Sequence, residues 1–217
     1  MQRRTFTAAL AATLSLHAAG SPAADAPTAL DRFLEGLHSL RMHFTQSRTD
    51  AQGREVDHAT GELLVLRPNR LRWDIQPSGG ADRDAGQLLI VDGRNVWFFD
   101  RDLQQVQVKP MDAALSATPA MLLSGDEDVR RNFSVASSGT HDGLAWVRVE
   151  PHGNDADFRE AQLGFAGNEL KRMILKDKLG QTTTFSFDRA ERNAPVSTDE
   201  VTFSPPSGVD VIGNPVK

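Results

Sequence analysis

The stretch Arg70-Leu71-Arg72-Trp73-Asp74-Ile75-Gln76 alternates without a break between polar and apolar side chains. Side chains of a strand point to opposite faces with a period of two. Leu71, Trp73 and Ile75 therefore share one dry face, and Arg70, Arg72, Asp74 and Gln76 a wet one. A sheet dry on one side and solvated on the other is antiparallel by preference. Upstream, Glu62-Leu63-Leu64-Val65-Leu66 reads as the preceding strand, with Arg67-Pro68-Asn69 as the turn. Downstream, Gln87-Leu88-Leu89-Ile90-Val91 meets Asp92-Gly93, a hairpin signal, and Val96-Trp97-Phe98-Phe99 returns. Asp100-Arg101-Asp102 then turns the chain into Leu103 through Val108.

Further strands are expected around Met42-Phe44, Phe133-Val135, Leu144-Val149, Phe158-Phe165, Leu170-Leu175, Thr182-Phe187 and Val201-Phe203, about ten or eleven in all. Helices are few. Leu30, Phe33, Leu34, Leu37 and Leu40 recur at helical spacing behind Pro27-Thr28, and Gly36 weakens that stripe. Met111 to Ser124 reads as short helices, with Thr118 as N-cap, Pro119 at the first helical position, Met121, Leu122 and Leu123 as the apolar face, and Gly125 at the end. Helices set apart in this way do not alternate with strands as a parallel α/β sheet requires. The expectation is a mainly β (α+β) fold: one curved antiparallel sheet closed by helices on its concave face. The stretch from Ser207-Gly208 onward reads as a tail.

The N-terminus reads as an export signal. Gln2-Arg3-Arg4 is a short positive start, Thr5 to Gly20 is small and mostly apolar, and Ser21-Pro22-Ala23 suits a signal peptidase. The expected division is a cleaved segment 1–23 and a single domain over 24–217. The chain has no cysteine, which excludes disulfides, thiol catalysis, thiolate metal sites and lipid attachment through cysteine. Beyond residue 23, 22 basic residues face 29 acidic ones. With no basic cluster, that balance argues against nucleic acid as a partner. The expected location is the periplasm, without a membrane anchor.

Reactive chemistry is hard to find. The sequence holds no nucleophile elbow, phosphate-cradling loop or zinc-type His-Glu pair. His38, His43, His58, His141 and His152 are scattered without ligand spacing, and Asp100, Asp102, Asp126, Glu127 and Asp128 sit in turns that carboxylates commonly cap. Neither an enzyme activity nor a cofactor is expected. A dry sheet face without a reactive group points to binding.

One ordered set of short motifs adds to this reading. Phe44-Thr45-Gln46, Gly61-Glu62-Leu63, Arg67-Pro68-Asn69, Trp73, Val91-Asp92-Gly93, Trp97-Phe98, Leu103-Gln104-Gln105-Val106, Pro119 with Met121-Leu122-Leu123, Gly180-Gln181 and Phe203-Ser204-Pro205-Pro206-Ser207-Gly208-Val209 follow one another along the chain. The set resembles the periplasmic outer-membrane lipoprotein carriers of the LolA family. That resemblance implies an incomplete antiparallel β-barrel under a lid of α-helices, enclosing a hydrophobic cavity for lipoprotein acyl chains. It further implies a monomer without a cofactor, loaded by an ATP-driven inner-membrane lipoprotein-releasing transporter and unloaded to an outer-membrane acceptor lipoprotein. The family's lid-holding arginine corresponds to Arg67, and its lid contacts to Leu34 and Leu123. The chain departs from the family pattern at Leu71, often an aromatic position, and at Ala120, often a bulkier one; both leave room for a looser lid or a larger cavity.

The expected lining comprises Phe44, Leu64, Leu66, Leu71, Trp73, Ile75, Leu89, Val91, Trp97 and Phe99, with Leu37, Met121 and Leu122 from the lid side. For Trp73 and Ile75, alternation fits a filled core and a cavity wall equally. Three other functions compete: a carrier of a different envelope lipid, a lipoprotein-sensing regulatory module, and a hydrolase of envelope lipids.

Overall fold

The computed structural model describes residues 26–78, 85–114, 120–125, 130–153, 156 and 158–216. The expected signal segment, the Thr118-Pro119 helix start and the acidic turn at 126–128 lie outside these residues. In chain order the elements are α1 (Ala29–Leu34), β1 (Ser39–Thr49), β2 (Glu55–Leu66), β3 (Arg70–Pro77), β4 (Gln87–Asp92), β5 (Asn95–Asp100), β6 (Gln105–Pro110), a 3-10 turn (Asp112–Ala114) and α2 (Met121–Ser124). They continue with β7 (Phe133–His141), β8 (Leu144–Pro151), β9 (Phe158–Ala166), β10 (Glu169–Asp177), β11 (Thr182–Arg192), a second 3-10 turn (Asp199–Val201) and β12 (Asp210–Ile212). No helix among the described residues is long and apolar enough to cross a membrane.

All twelve strands belong to one sheet, ordered β12-β6-β5-β4-β3-β2-β1-β11-β10-β9-β8-β7. Every pairing is antiparallel except that of β12, which runs parallel to β6. Two meanders, β1 to β6 and β7 to β11, are joined through the β1–β11 ladder, where Phe44 lies opposite Phe187. The end strands β12 and β7 do not pair with each other. The sheet therefore remains open, an incomplete barrel, with α1 and α2 against its inner face.

Alternation sorts the side chains. Leu40, Met42 and Phe44 of β1, Leu63 and Val65 of β2, Leu71 and Trp73 of β3, and Val91 of β4 face inward. They join Leu163, Phe165, Met173, Phe185 and Phe187 from the second meander in one buried cluster that also holds Leu30, Phe33, Met121, Leu122 and Leu123 of the helices. Gly61 lets these rings approach. It sits opposite Phe44 in the ladder, and a Cβ there would come within 2.4 Å of Phe44 Cζ and 2.0 Å of the Asp74 carbonyl oxygen.

A second, smaller cluster lies on the outer face. Leu88, Ile90, Trp97, Phe99, Val106 and Val108 are covered there by Phe203 and Val209 from the C-terminal segment. That segment is a strap rather than a loose tail. Its 3-10 turn lies against β2, β3 and β4, β12 adds a strand beside β6, and the Asn95 side chain exchanges two hydrogen bonds with the Val216 backbone. Val201 to Phe203, expected as a strand, forms the 3-10 turn and an extended link, and the last strand comes later, at Asp210–Ile212. The helix stripe also ends sooner than its spacing suggested. Gly36, at a φ of 63°, turns the chain after Leu34, so Leu37 falls in the connection and Leu40 in β1.

Arg41 pins the strap from the sheet side by bridging Glu62 and Glu200, at 3.0 and 2.6 Å. The Ser197 backbone N–H, then Arg41 and the Ser197 hydroxyl, pull the Glu200 carboxyl down to about 2. A depressed carboxylate stabilises the fold above its unfolded pKa and loses that contribution as pH falls through the folded value. The stability advantage of the native chain over Glu200→Gln should therefore be full above about pH 4.5, the group's ordinary value, and shrink toward zero near pH 2. Urea denaturation at pH 6, 4 and 3 checks the trend; an advantage independent of pH would show that the carboxylate charge does not hold the strap.

Candidate functional site: a lidded apolar interior

The inner face is apolar across the sheet and, among the described residues, is covered by the two very short helices α1 and α2. Helix α1 starts with a reciprocal cap: Asp31 N–H donates to Thr28 Oγ1 at 3.3 Å, and Asp31 Oδ2 accepts from the Thr28 backbone N–H at 2.7 Å. Burial alone would raise the Asp31 pKa, but the Thr28 hydroxyl and amide and the Arg130 guanidinium hold it below its ordinary value. Arg130, just after the segment that follows α2, pairs with Asp31 Oδ1 and so links the two lid regions. Beside it, Arg130, Arg131, Phe133 and Val135 line a depression of about 480 Å³ where β7 begins.

Each lid helix ends on an arginine. Gly125 closes α2, and its carbonyl accepts from Arg67 Nη2 at 2.9 Å. One residue earlier, the Ser124 carbonyl accepts from the Asn69 backbone N–H at 2.7 Å. The Arg67-Pro68-Asn69 turn between β2 and β3 thus meets the C-terminal end of α2 with two donors. At the other helix, Arg192 at the end of β11 donates to the carbonyls of Phe33 and Glu35 at 2.6 and 3.1 Å, and its guanidinium lies 5.1 Å from the centre of the Phe33 ring. Asn193 adds a bond from Nδ2 to the Gly36 carbonyl at 3.0 Å. Carbonyls at a helix C-terminus lack intrahelical partners, and a planar guanidinium can serve several of them while adding favourable charge.

The sequence-named residues divide by face. Phe44, Leu71, Trp73 and Val91 belong to the inner cluster with Leu37, Met121, Leu122 and Leu123; Leu34, Ile75 and Leu89 pack against it half-buried. Four expectations are corrected. Trp97 and Phe99 lie in the outer cluster against Phe203, because they alternate out of phase with Val96, the inward residue of β5. Leu64 and Leu66 are likewise out of phase with Leu63 and Val65; Leu64 pairs in the ladders with Arg41 and Arg72 on the outer side. In an apolar run such as Leu63 to Leu66, alternation carries no polar marker to say which residue faces in. Arg192 was missed altogether. It stands in the polar run Asp188 to Asn193, where no local pattern distinguishes it from solvated arginines.

Aromatic side chains concentrate at the centre of the inner face. The Trp73 ring lies 4.9 Å from Phe185 and 5.7 Å from Phe44, both near edge-to-face, and Phe44 is 5.5 Å from Phe185. No group of three or more His, Cys, Asp or Glu among the described residues could hold a metal ion.

Removing the Arg192 latch tests whether it holds α1. Arg192→Leu should lower hydrogen-exchange protection of the amides at the end of α1, those of Glu35 and Leu37, by roughly tenfold, as loss of a charge-assisted bond predicts. Protection in the β4–β5 hairpin should not change; equal losses in both places would mean global destabilisation instead of a local latch.

Comparison with known proteins agrees with this architecture. The family model described as "Outer membrane lipoprotein carrier protein LolA" matches residues 35–204. The chain is 36% identical to the outer-membrane lipoprotein carrier protein of Methylobacillus flagellatus over 208 residues, covering 96% of this chain and 98% of the relative. It is also 36% identical to that of Dechloromonas aromatica over 184 residues, covering 85% and 86%. Among solved structures, an uncharacterised conserved protein from Thermus thermophilus shares the fold at a TM-score of 0.51 and 12% identity, covering 85% of this chain and 96% of that one. With a lidded, apolar, open sheet and a family match over most of its length, the chain belongs to the outer-membrane lipoprotein carrier family, LolA.

Proposed function

We propose that this protein works in the periplasm as a monomeric carrier, without a cofactor. It takes up the acyl chains of lipoproteins between its sheet and lid, receives them from an ATP-driven inner-membrane transporter and passes them to an outer-membrane acceptor lipoprotein. One observation carries the reading: an extended apolar inner face covered, among the described residues, by two helices of six and four residues, each held at its end by an arginine. Such a face would be an aggregation hazard if left bare, whereas lids this short can be moved aside. The relatives' names supply the cargo class.

The energetics set the design. A buried methylene is worth about 0.8 kcal/mol, so one sixteen-carbon chain is held in a bilayer by roughly 12 kcal/mol. A carrier must match that with apolar surface of its own, and the work of extraction must come from elsewhere. The sequence holds no nucleotide motif, which fits an energised donor. Release requires that the closed, empty state be stable enough to compete with cargo. In this scheme Arg67, with Leu34 and Leu123 at the lid ends, supplies part of that stability: a bond from a charged donor is worth about 1.5–3 kcal/mol. Phe44, Leu71, Trp73, Ile75, Leu89 and Val91 supply the floor and Leu37, Met121 and Leu122 the cover. A sensory module on the same fold would need the same interior, and cargo transfer separates the two readings.

Purified mature protein added to spheroplasts whose lipoproteins carry labelled palmitate should release labelled lipoprotein into solution as a one-to-one complex, dependent on ATP. Arg67→Leu should load equally well and fail to hand cargo to acceptor-bearing membranes. Binding of acyl probes without lipoprotein release would favour a carrier of another lipid, and unimpaired transfer by Arg67→Leu would remove the gate from Arg67.

A further inference from the structure

The chain has three tryptophans, and their indole N–H groups are treated differently. Trp97 Nε1 donates to Asp92 Oδ2 at 2.7 Å, and Trp146 Nε1 donates to the His141 carbonyl at 3.1 Å. Both side chains lie on the outer side of the sheet: Trp97 sits under Phe203, and Trp146 stacks on the His141 ring at 4.9 Å. Trp73 alone faces the interior. It is 3% exposed, and its Nε1 is buried without a hydrogen-bond partner.

A buried donor without an acceptor is unfavourable, and buried tryptophans usually find one. The neighbouring Phe44 and Phe185 rings, packed near edge-to-face, offer at most a weak N–H···π contact. A phenylalanine would fill most of the same space without an orphaned donor. The donor also sits in the middle of the surface that the proposed cargo would cover. Hydrocarbon tails carry no acceptor, but every acyl group carries one, its carbonyl, where the chain joins glycerol or an amine.

We propose that Trp73 Nε1 is the polar anchor of the interior: it donates a hydrogen bond to the carbonyl of an acyl ester or amide and sets the depth to which the chains enter. This rests on the lipid-carrier reading and adds to it a preference for acyl over alkyl chains. Geometry supports the role. Trp73 lies opposite Leu63 and Leu89 in the two flanking ladders, so its indole stands between strands whose register fixes it. Phe44 can pack against it because Gly61 leaves room.

The test compares two synthetic lipopeptides that differ only at the acceptor. One carries S-[2,3-bis(palmitoyloxy)propyl]cysteine and the other its bis(hexadecyloxy)propyl ether counterpart, which has no acyl carbonyl. The native protein should bind the ester form roughly five- to tenfold more tightly, the range for one net hydrogen bond. Trp73→Phe should bind both forms equally, at the affinity of the ether. In the ¹⁵N-labelled native protein, the Trp73 indole N–H resonance should move downfield with the ester and not with the ether; this second readout needs no variant to fold. Equal affinities in the native protein, or an ester preference that survives in a folded Trp73→Phe, would overturn the anchor while leaving lipid carriage intact. Failure of the native protein to bind either lipopeptide would overturn the carrier reading beneath it.

Discussion

Everything in this molecule follows from a sheet that is apolar on a face it cannot cover by itself. Closed barrels bury such a face by filling it, and sandwiches by packing a second sheet on it. Here the twelve strands stay open between β12 and β7, and among the described residues the cover includes the six residues of α1 and the four of α2. Helices of one or two turns have no independent stability in water, since nucleation costs more than a few hydrogen bonds return. Whatever keeps α1 and α2 helical is their burial against Leu63, Leu71, Phe165 and the other inward residues, together with arginines that satisfy their terminal carbonyls. Cover and latch are thus one device.

The two latches differ in what surrounds them. Arg67 reaches α2 from a tight turn between β2 and β3, alongside a backbone donor from Asn69. Arg192 reaches α1 from a strand end, with its charge over the Phe33 ring and Asn193 beside it. The Asp31–Arg130 pair then joins the N-terminal end of α1 to the chain beyond α2. One charged contact therefore links α1 to the chain beyond α2, and its strength depends on exposure and salt.

Much of the architecture was readable because it is written in alternation. The β3 pattern fixes a dry and a wet face, the Asp92-Gly93 hairpin fixes the next strand, and Arg67-Pro68-Asn69 marks the turn that meets α2. Alternation failed where both faces are dry. Trp97 and Phe99 are as buried as Val96, because a strap some hundred residues further along the sequence covers their side of the sheet, and nothing local announces it. The strap itself read as a tail because its anchors, Asn95, Arg41 and β6, are distant in sequence. Arg192 was invisible for the same reason: its partners are carbonyls, which carry no sequence identity.

The strap also explains how the outer face of the sheet is kept covered. An open sheet presents two apolar surfaces and two raw edges, each able to recruit other chains. The C-terminal segment removes one surface by burying Trp97, Phe99 and Val106, and it places the short β12 along the edge of β6. Ion pairs fix it in position through Arg41 and Glu200. The inner surface is left to the lids, whose contacts are of the same kind as those an acyl chain would make. If acyl chains took the place of Leu30, Phe33 and Met121 against the sheet, like would be exchanged for like, and the apolar contributions of the two states would nearly cancel. On the proposed carrier reading, the balance would pass to the few polar interactions that differ between the two states: the two arginine bonds to the helix ends and, with cargo bound, an acceptor for the Trp73 indole N–H, which is unpaired here.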